Sequence, residues 1–208
     1  NDKYYNFCIS YKDYETYKRD GANVDKLLVC PNGAQHRDYH FTEKPLKPSW
    51  TLYLGRIEPR KRQYLYQDIY GVEFVGKYTD TTSFDRNRDC YLGQWEHEYK
   101  LQHVTDYGNM MLLSDGENGT PLVIKEALVA GLGVVVSKYA AHDLDTSLPF
   151  VTVIPDDKWE DIEYVQMKLI ENRKISVTMR KEIRQYGVDN FSWQKLVKTY
   201  VENIEGME

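Results

Sequence analysis

Between Leu112 and Ser137 the chain reads LLSDGENGTPLVIKEALVAGLGVVVS, and this stretch has the residues to hold a phosphate and a sugar. An apolar run, Met110 to Leu113, ends in a polar loop with two glycines, Ser114 to Thr120, and a helical stretch follows. Thr120 then suits the N-cap and Pro121 the first helical position, because the N–H that proline lacks would have had no partner there. The N–H groups of Leu122 and Val123 are left free at the positive end of the helix dipole, a ready site for phosphate. Glu126 follows about 7.5 Å along the axis, at 1.5 Å per residue, with its side chain leaning back toward the start. A carboxylate at that distance can accept hydrogen bonds from ribose hydroxyls.

A second, cationic loop extends this chemistry. The run Trp50 to Gly55 reads as a strand, and Gly55 to Lys61 then carries Arg56, Arg60 and Lys61, with Arg62 next. Loops leaving the carboxyl ends of parallel strands are where ligands collect. Two of them side by side offer cations and helix amides to one anion, whereas Arg56 or Lys61 alone would be an ordinary solvated charge.

Other chemistries find less support. Asp143-Leu144-Asp145 has the Asp-x-Asp form of a metal-binding strand end, but it comes several residues after Val134 to Val136 and reads as a solvated turn. His36, His40, His97 and His103 show no ligand spacing. Cys8, Cys30 and Cys90 are too scattered for a metal knuckle or a disulfide framework, which points to a reducing cytosol. No Ser/His/Asp or Cys/His arrangement stands out, and no carboxylate pair suits an acid and a nucleophile. Neither a metal nor a cofactor is expected.

The elements that must position these loops alternate. From Trp50 come a strand (WTLYLG), a loop and helix (RIEPRKRQYLYQDIYG), a strand (VEFVG) and a polar linker with a short strand (DRNRDCYLGQ). A helix (EHEYKLQHVTDYG), the MMLL strand, the helix after Pro121 and the VVVS strand follow. PFVTVIP is another strand, and helices are expected over Trp159 to Glu171 and Ile175 to Tyr186. Such alternation predicts an α/β fold, a doubly wound, Rossmann-like parallel sheet of about six strands. A final helix from Trp193, capped by Ser192, places Trp193, Leu196, Val197, Tyr200, Val201 and Ile204 on one stripe that must dock on something apolar. Ahead of these lie a strand (Tyr4 to Ser10), a helix (Tyr11 to Asp20), a strand (Lys26 to Cys30) and a proline-stiffened connector (Lys44 to Pro48), too little for a domain.

At 208 residues and 41% hydrophobic content the chain can bury one large core, and a net charge of -5 argues against a broad nucleic-acid surface. The 18 tyrosines read as amphipathic filler at the edges of the core. No transmembrane run or signal peptide stands out.

The stretches GRIEPRK (Gly55 to Lys61), FVG (Phe74 to Gly76), YLGQW (Tyr91 to Trp95), Gly119 to Ser137 and FSWQKLVKTY (Phe191 to Tyr200) together resemble the C-terminal, donor-binding half of retaining GT-B glycosyltransferases, the large family 4 group. VCPNGA (Val29 to Ala34) is similar to the turn before that half. The resemblance implies residues 1–48 as a remnant of the N-terminal domain and linker, and 49–208 as a nucleotide-sugar-binding domain with a C-terminal crossing helix. It implies that Arg56 and Lys61 hold the diphosphate, that Gly55 and the Gly119, Thr120, Pro121, Leu122 and Val123 backbone lie along it, that Glu126 binds the ribose, and that Gln94 and Trp95 lie at the nucleobase. The family's first glutamate, near the donor sugar, falls on Asn118 here, with Glu117 one position early; either residue is a candidate for its role.

The implied reaction transfers a sugar from a nucleotide diphosphate sugar to an acceptor hydroxyl of a glycan, lipid or protein, with retention and without metal. It needs an N-terminal half supplied by the same or another chain. No nucleic-acid partner is implied, and the setting is cytoplasmic, at most peripheral to a membrane. The alternative is a non-catalytic nucleotide-sugar-binding or assembly module lacking the acceptor domain. A sugar-nucleotide epimerase of the same fold is a third reading.

Overall fold

The computed structural model describes residues 5–79 and 83–206. A short parallel pair comes first: β1 (Asn6–Cys8) and β2 (Leu27–Val29), joined through helix α1 (Tyr11–Arg19). The main sheet holds β3 (Lys47–Leu54), β4 (Val72–Val75), β5 (Tyr107–Leu112), β6 (Gly133–Ser137) and β7 (Val151–Ile154) in the order β4-β3-β5-β6-β7, every pair parallel. Helices α2 (His97–His103) and α3 (Leu122–Val129) join successive strands, and α4 (Ile162–Thr178), α5 (Arg180–Phe191) and α6 (Trp193–Glu205) follow β7. The central strands β5 and β6 are buried along their whole length. That is why they read as continuous apolar runs and not as alternating ones.

Polar side chains seal the amino ends of these strands. Asn172 donates to the carbonyls of Val134 (3.2 Å) and Phe150 (3.1 Å) and accepts from Asn109 at 2.9 Å. Ser176 accepts from the Gly133 N–H at 2.7 Å. Arg180, fully buried, donates to the carbonyls of Thr105 (2.6 Å), Tyr107 (2.8 Å) and Thr42 (3.1 Å). These side chains tie α4 and the start of α5 to the strand starts, and the loops with candidate chemistry leave the carboxyl ends.

Several expectations need correction. The stretch after β3 forms two 3₁₀ turns, Pro59–Lys61 and Gln63–Tyr66, and no α-helix. Arg62 between them adopts a left-handed φ of 57° that breaks helical progression. Among the described residues the main sheet has five strands, not six: Tyr91 runs beside Phe74 only as an isolated bridge, although Phe74 N–H donates to Cys90 O at 2.7 Å and Phe74 O accepts from Leu92 N–H at 2.9 Å. Helix α4 passes through the expected gap between Glu171 and Ile175, since no glycine or proline interrupts it. Strand β3 begins inside the expected connector, at Lys47. Tyr4, expected to open the first strand, lies outside the described residues.

Ser192 does cap α6, accepting from Lys195 N–H at 3.4 Å. The apolar stripe of that helix is split, however. Trp193, Leu196 and Tyr200 are half-buried, while Val197, Val201 and Ile204 stay exposed.

Candidate functional site

The site is built where β3 and β5 end. Gly55 donates to Val75 O at 2.9 Å, and a Cβ on Gly76 would lie 1.9 Å from the Gly55 carbonyl oxygen, so the two turns meet backbone to backbone. No side chain fits there, which accounts for glycine at Gly76, whose φ is 154°. The Tyr53 hydroxyl donates to the Lys61 carbonyl and accepts from the Leu113 N–H at 3.1 Å. It thereby ties the cationic loop to the end of β5.

The two loops interlock through Arg60 and Asp115. Asp115 N–H donates to Arg60 O at 2.9 Å, and the Arg60 guanidinium donates to Asp115 O at 3.1 Å. Glu117 is then held over the cations. Its Oε1 lies 3.2 Å from Arg60 and 4.0 Å from Lys61. Burial lowers the pKa of the Lys61 amine, partly offset by the charge of Glu117. Arg56 is farther out, its side chain 63% exposed and 3.9 Å from Glu58. Thus Lys61 is seated in the site, Arg56 lies exposed at its edge, and Arg60 is an intimate part of it.

The glycine loop is fixed from the other side. Thr120 is not the helix cap: its N–H donates to Asp143 Oδ2 at 3.1 Å and its hydroxyl accepts from Asp143 N–H at 3.0 Å. Pro121 takes the cap position, and α3 starts at Leu122. Asp143 is therefore a clasp for the loop and not a solvated turn, which spacing alone could not reveal because the contact spans 23 residues. Lys125, 2% exposed, also joins it, 3.7 Å from Asp143 while donating to Asn32 O at 3.1 Å. A cavity of about 200 Å³ opens here, lined by Ile9, Asn32, Asn118, Gly119, Leu122 and Lys125 among others. The first helical amides, of Leu122 and Val123, have no acceptor within α3.

Glu126 faces α2. Its Oε1 accepts from Lys100 at 2.8 Å, and the residue is 6% exposed. Lys100 follows an aromatic group on the same segment: Trp95 lies edge-on to Tyr99, with ring centroids 5.2 Å apart. Gln94, Trp95 and Tyr99 line an open cleft. Larger hollows lie around Trp50 and Gly71 and beside α4, lined by none of Arg56, Arg60, Lys61, Glu117, Asn118 or Glu126.

Among the described residues, four buried side-chain oxygens have no hydrogen-bond partner: Tyr39 Oη, Ser114 Oγ, Glu117 Oε1 and Glu126 Oε2. Glu117 Oε1 has the ion pair with Arg60, but without hydrogen-bond geometry. Such atoms are rare in folded proteins because each costs roughly 1–3 kcal/mol. Ser114, Glu117 and Glu126 belong to the β5 loop and to α3, so unmet hydrogen-bonding capacity collects at the candidate site. No group of three or more His, Cys, Asp or Glu among the described residues could hold a metal ion. No helix among them is long and apolar enough to cross a membrane.

No protein-family model matches the chain, and no curated protein sequence matches it. Solved structures do. The chain is similar to Anabaena Alr3699/HepE in complex with UDP-glucose, at 14% identity and a TM-score of 0.72, over 96% of this chain and 63% of that one. It is similar to the lipopolysaccharide outer core galactosyltransferase WaaB, at 17% identity and a TM-score of 0.72, over 98% and 62%. It also matches sucrose-phosphate synthase from Thermosynechococcus elongatus, at 16% identity and a TM-score of 0.70, over 97% and 57%. The fold is a Rossmann-like domain of the GT-B type. The chain spans about three fifths of the length of these structures.

Proposed function

We propose that the chain is the donor-binding, C-terminal half of a retaining GT-B glycosyltransferase, transferring a sugar from a nucleotide diphosphate sugar to an acceptor hydroxyl. The observation that carries this reading is the meeting of Lys61 and Arg60 with Glu117 of the glycine loop, which leads into α3, at the carboxyl ends of β3 and β5. That the similar structures include complexes with UDP and UDP-glucose supports it. In this arrangement Arg56, Lys61 and the amides of Leu122 and Val123 stabilise the negative charge that grows on the departing diphosphate. Preorganised donors do this without reorganising at the moment of reaction. Glu126 takes the ribose, and the cleft of Gln94 and Trp95 takes the base.

The rest of the acceptor half packs against α6 and the segment of β1 and α1. Phe7, Ile9, Tyr11, Val197, Val201 and Ile204, exposed here, support such a partner, in the same chain or another. Residues 1–48 then belong to that half and its linker, and 49–208 to the donor domain.

A second reading, a nucleotide-sugar-binding or assembly module without turnover, is favoured by one feature: Asn118 stands where the resembling family has a glutamate, while Glu117 is engaged with Arg60. Thermal unfolding against UDP, GDP, ADP and their sugars, with and without magnesium, tests both readings. A ligand at 100 times its dissociation constant adds about 2.7 kcal/mol, so a donor site shows as a raised midpoint with one base. Midpoints unmoved by every ligand would refute donor binding. Binding without transfer, after the acceptor half is supplied, would select the module.

A further inference from the structure

The loop that leads into α3 is anchored at Thr120 by segments far away in sequence. Thr120 and Asp143 exchange two hydrogen bonds, the Thr120 N–H donating to Asp143 Oδ2 at 3.1 Å and the Asp143 N–H to the Thr120 hydroxyl at 3.0 Å. The amide and the side chain of Thr120 are thereby held together. Gly119, just before, passes through a slot: a Cβ there would lie 2.9 Å from Ser10 Cβ and 3.6 Å from Asp143 Oδ2. Behind the pair stands Lys125, whose side chain keeps only 3% of its surface exposed. Its amine lies 3.7 Å from Asp143 Oδ2 and donates to Asn32 O at 3.1 Å, on the segment that joins β2 to β3. Burial lowers its pKa, partly offset by the charge of Asp143. A buried cation destabilises the fold unless partners meet it, so this lysine needs Asp143 and Asn32 where they are.

We propose that Asp143 and Lys125 are positioning residues of the donor site, Asp143 setting the Gly119 and Thr120 backbone beside the diphosphate and Lys125 fixing Asp143 against the Asn32 carbonyl. The proposal rests on the donor-site reading above. Neither side chain is assigned to the ligand. Asp143 Oδ2 is engaged by Thr120 and Lys125, and a carboxylate would repel a diphosphate; the Lys125 amine is engaged by Asn32 and Asp143. What the pair supplies is order. The Leu122 and Val123 amides follow Thr120 within two and three residues, so a Thr120 that is held still presents them to an anion without reorganisation. Through Lys125 that order is shared with the segment at Asn32, 93 residues away in the chain.

The test is calorimetry of the full chain with whichever of UDP, GDP or ADP binds it and with the matching nucleoside, alongside amide hydrogen exchange over residues 114–120. Asp143→Ala should weaken the diphosphate by about tenfold, as loss of one buried hydrogen bond does, leave the nucleoside affinity as it was, and speed exchange at Thr120. Asp143→Asn keeps an acceptor for the Thr120 N–H and gives up only the charge that faces Lys125, so it should lose less than Asp143→Ala. Lys125→Met keeps an unbranched stem in the same space. It should show the same selectivity for the diphosphate with a smaller loss, and it carries the test if Asp143→Ala does not fold. Circular dichroism and unfolding midpoints establish which variants are folded. Equal losses for diphosphate and nucleoside, or diphosphate affinity unmoved in the folded variants, would overturn the inference alone. Failure of the unaltered chain to bind any of the nucleotides would overturn the donor-site reading and the inference with it.

Discussion

Glu117 illustrates how a single side chain changes meaning once its neighbours are known. In sequence it competes with Asn118 for a place near the donor sugar; in the structure its carboxylate lies on Arg60 and beside Lys61, where it neutralises cations that a diphosphate would use. Glu117→Gln should therefore tighten UDP by a few-fold and UMP by less, since releasing a like-charged competitor favours the ligand with more charge. Weaker UDP binding in that variant would place Glu117 on the ligand instead. Arg56→Ala should weaken the diphosphate more than the monophosphate, by about tenfold, because charge-assisted contacts to the second phosphate are lost; equal losses would assign Arg56 to structure.

Lys61 gives a pH signature. Its pKa is lowered by burial, so the free amine loses its proton below the ordinary lysine range, and an anion binds best while the proton remains. UDP affinity should fall as pH rises through that lowered value. In Lys61→Arg, whose guanidinium keeps its charge, the decline should disappear from the same titration.

Elements hold the site by close approach and by clasps distant in sequence. The turn after β4 meets the turn after β3 at Gly76, where any Cβ would strike the Gly55 carbonyl. Gly76→Ala should displace the cationic loop, lowering both the unfolding midpoint and nucleotide affinity, with a cost of roughly 2 kcal/mol or more from overpacking and strain. Wild-type stability in urea would show that the turns part freely. Helix α3 is positioned likewise. Gly187 of α5 lies against its backbone, 2.6 Å from the Leu128 carbon to a would-be Cβ, and the Asp143 clasp fixes its leading loop. The start of α3 was legible to within one residue from the proline, but the cap itself was not. Proline served as cap because the Thr120 side chain and N–H were taken by a loop that sequence order puts far away.

For the whole molecule, the two ends of the sheet differ in what ties them: buried polar side chains of α4 and α5 hold the strand starts, and the loops of the candidate site leave the strand ends. Arg180 is the largest piece of the seal, a buried cation that donates to several backbone carbonyls at the start of β5 and before it. Arg180→Met should cost about 3 kcal/mol, because acceptors are left unpaired, and should leave the nucleotide affinity of the folded protein unchanged. Loss of affinity along with stability would mean that the two ends are coupled.

The sequence by itself determined the βαβ order, the parallel class of the sheet, the buried central strands and the two loops at their ends. These depend on periodicity, on glycine and proline, and on local caps, all properties of neighbours along the chain. Only the tertiary structure decided that Glu117 sits on Arg60, that Asp143 clasps Thr120, that Lys100 pairs with Glu126, and that half of the α6 stripe is left uncovered. Each of those depends on which distant residues share a few ångströms, and the burial that makes such contacts matter is set by the packing of the whole chain.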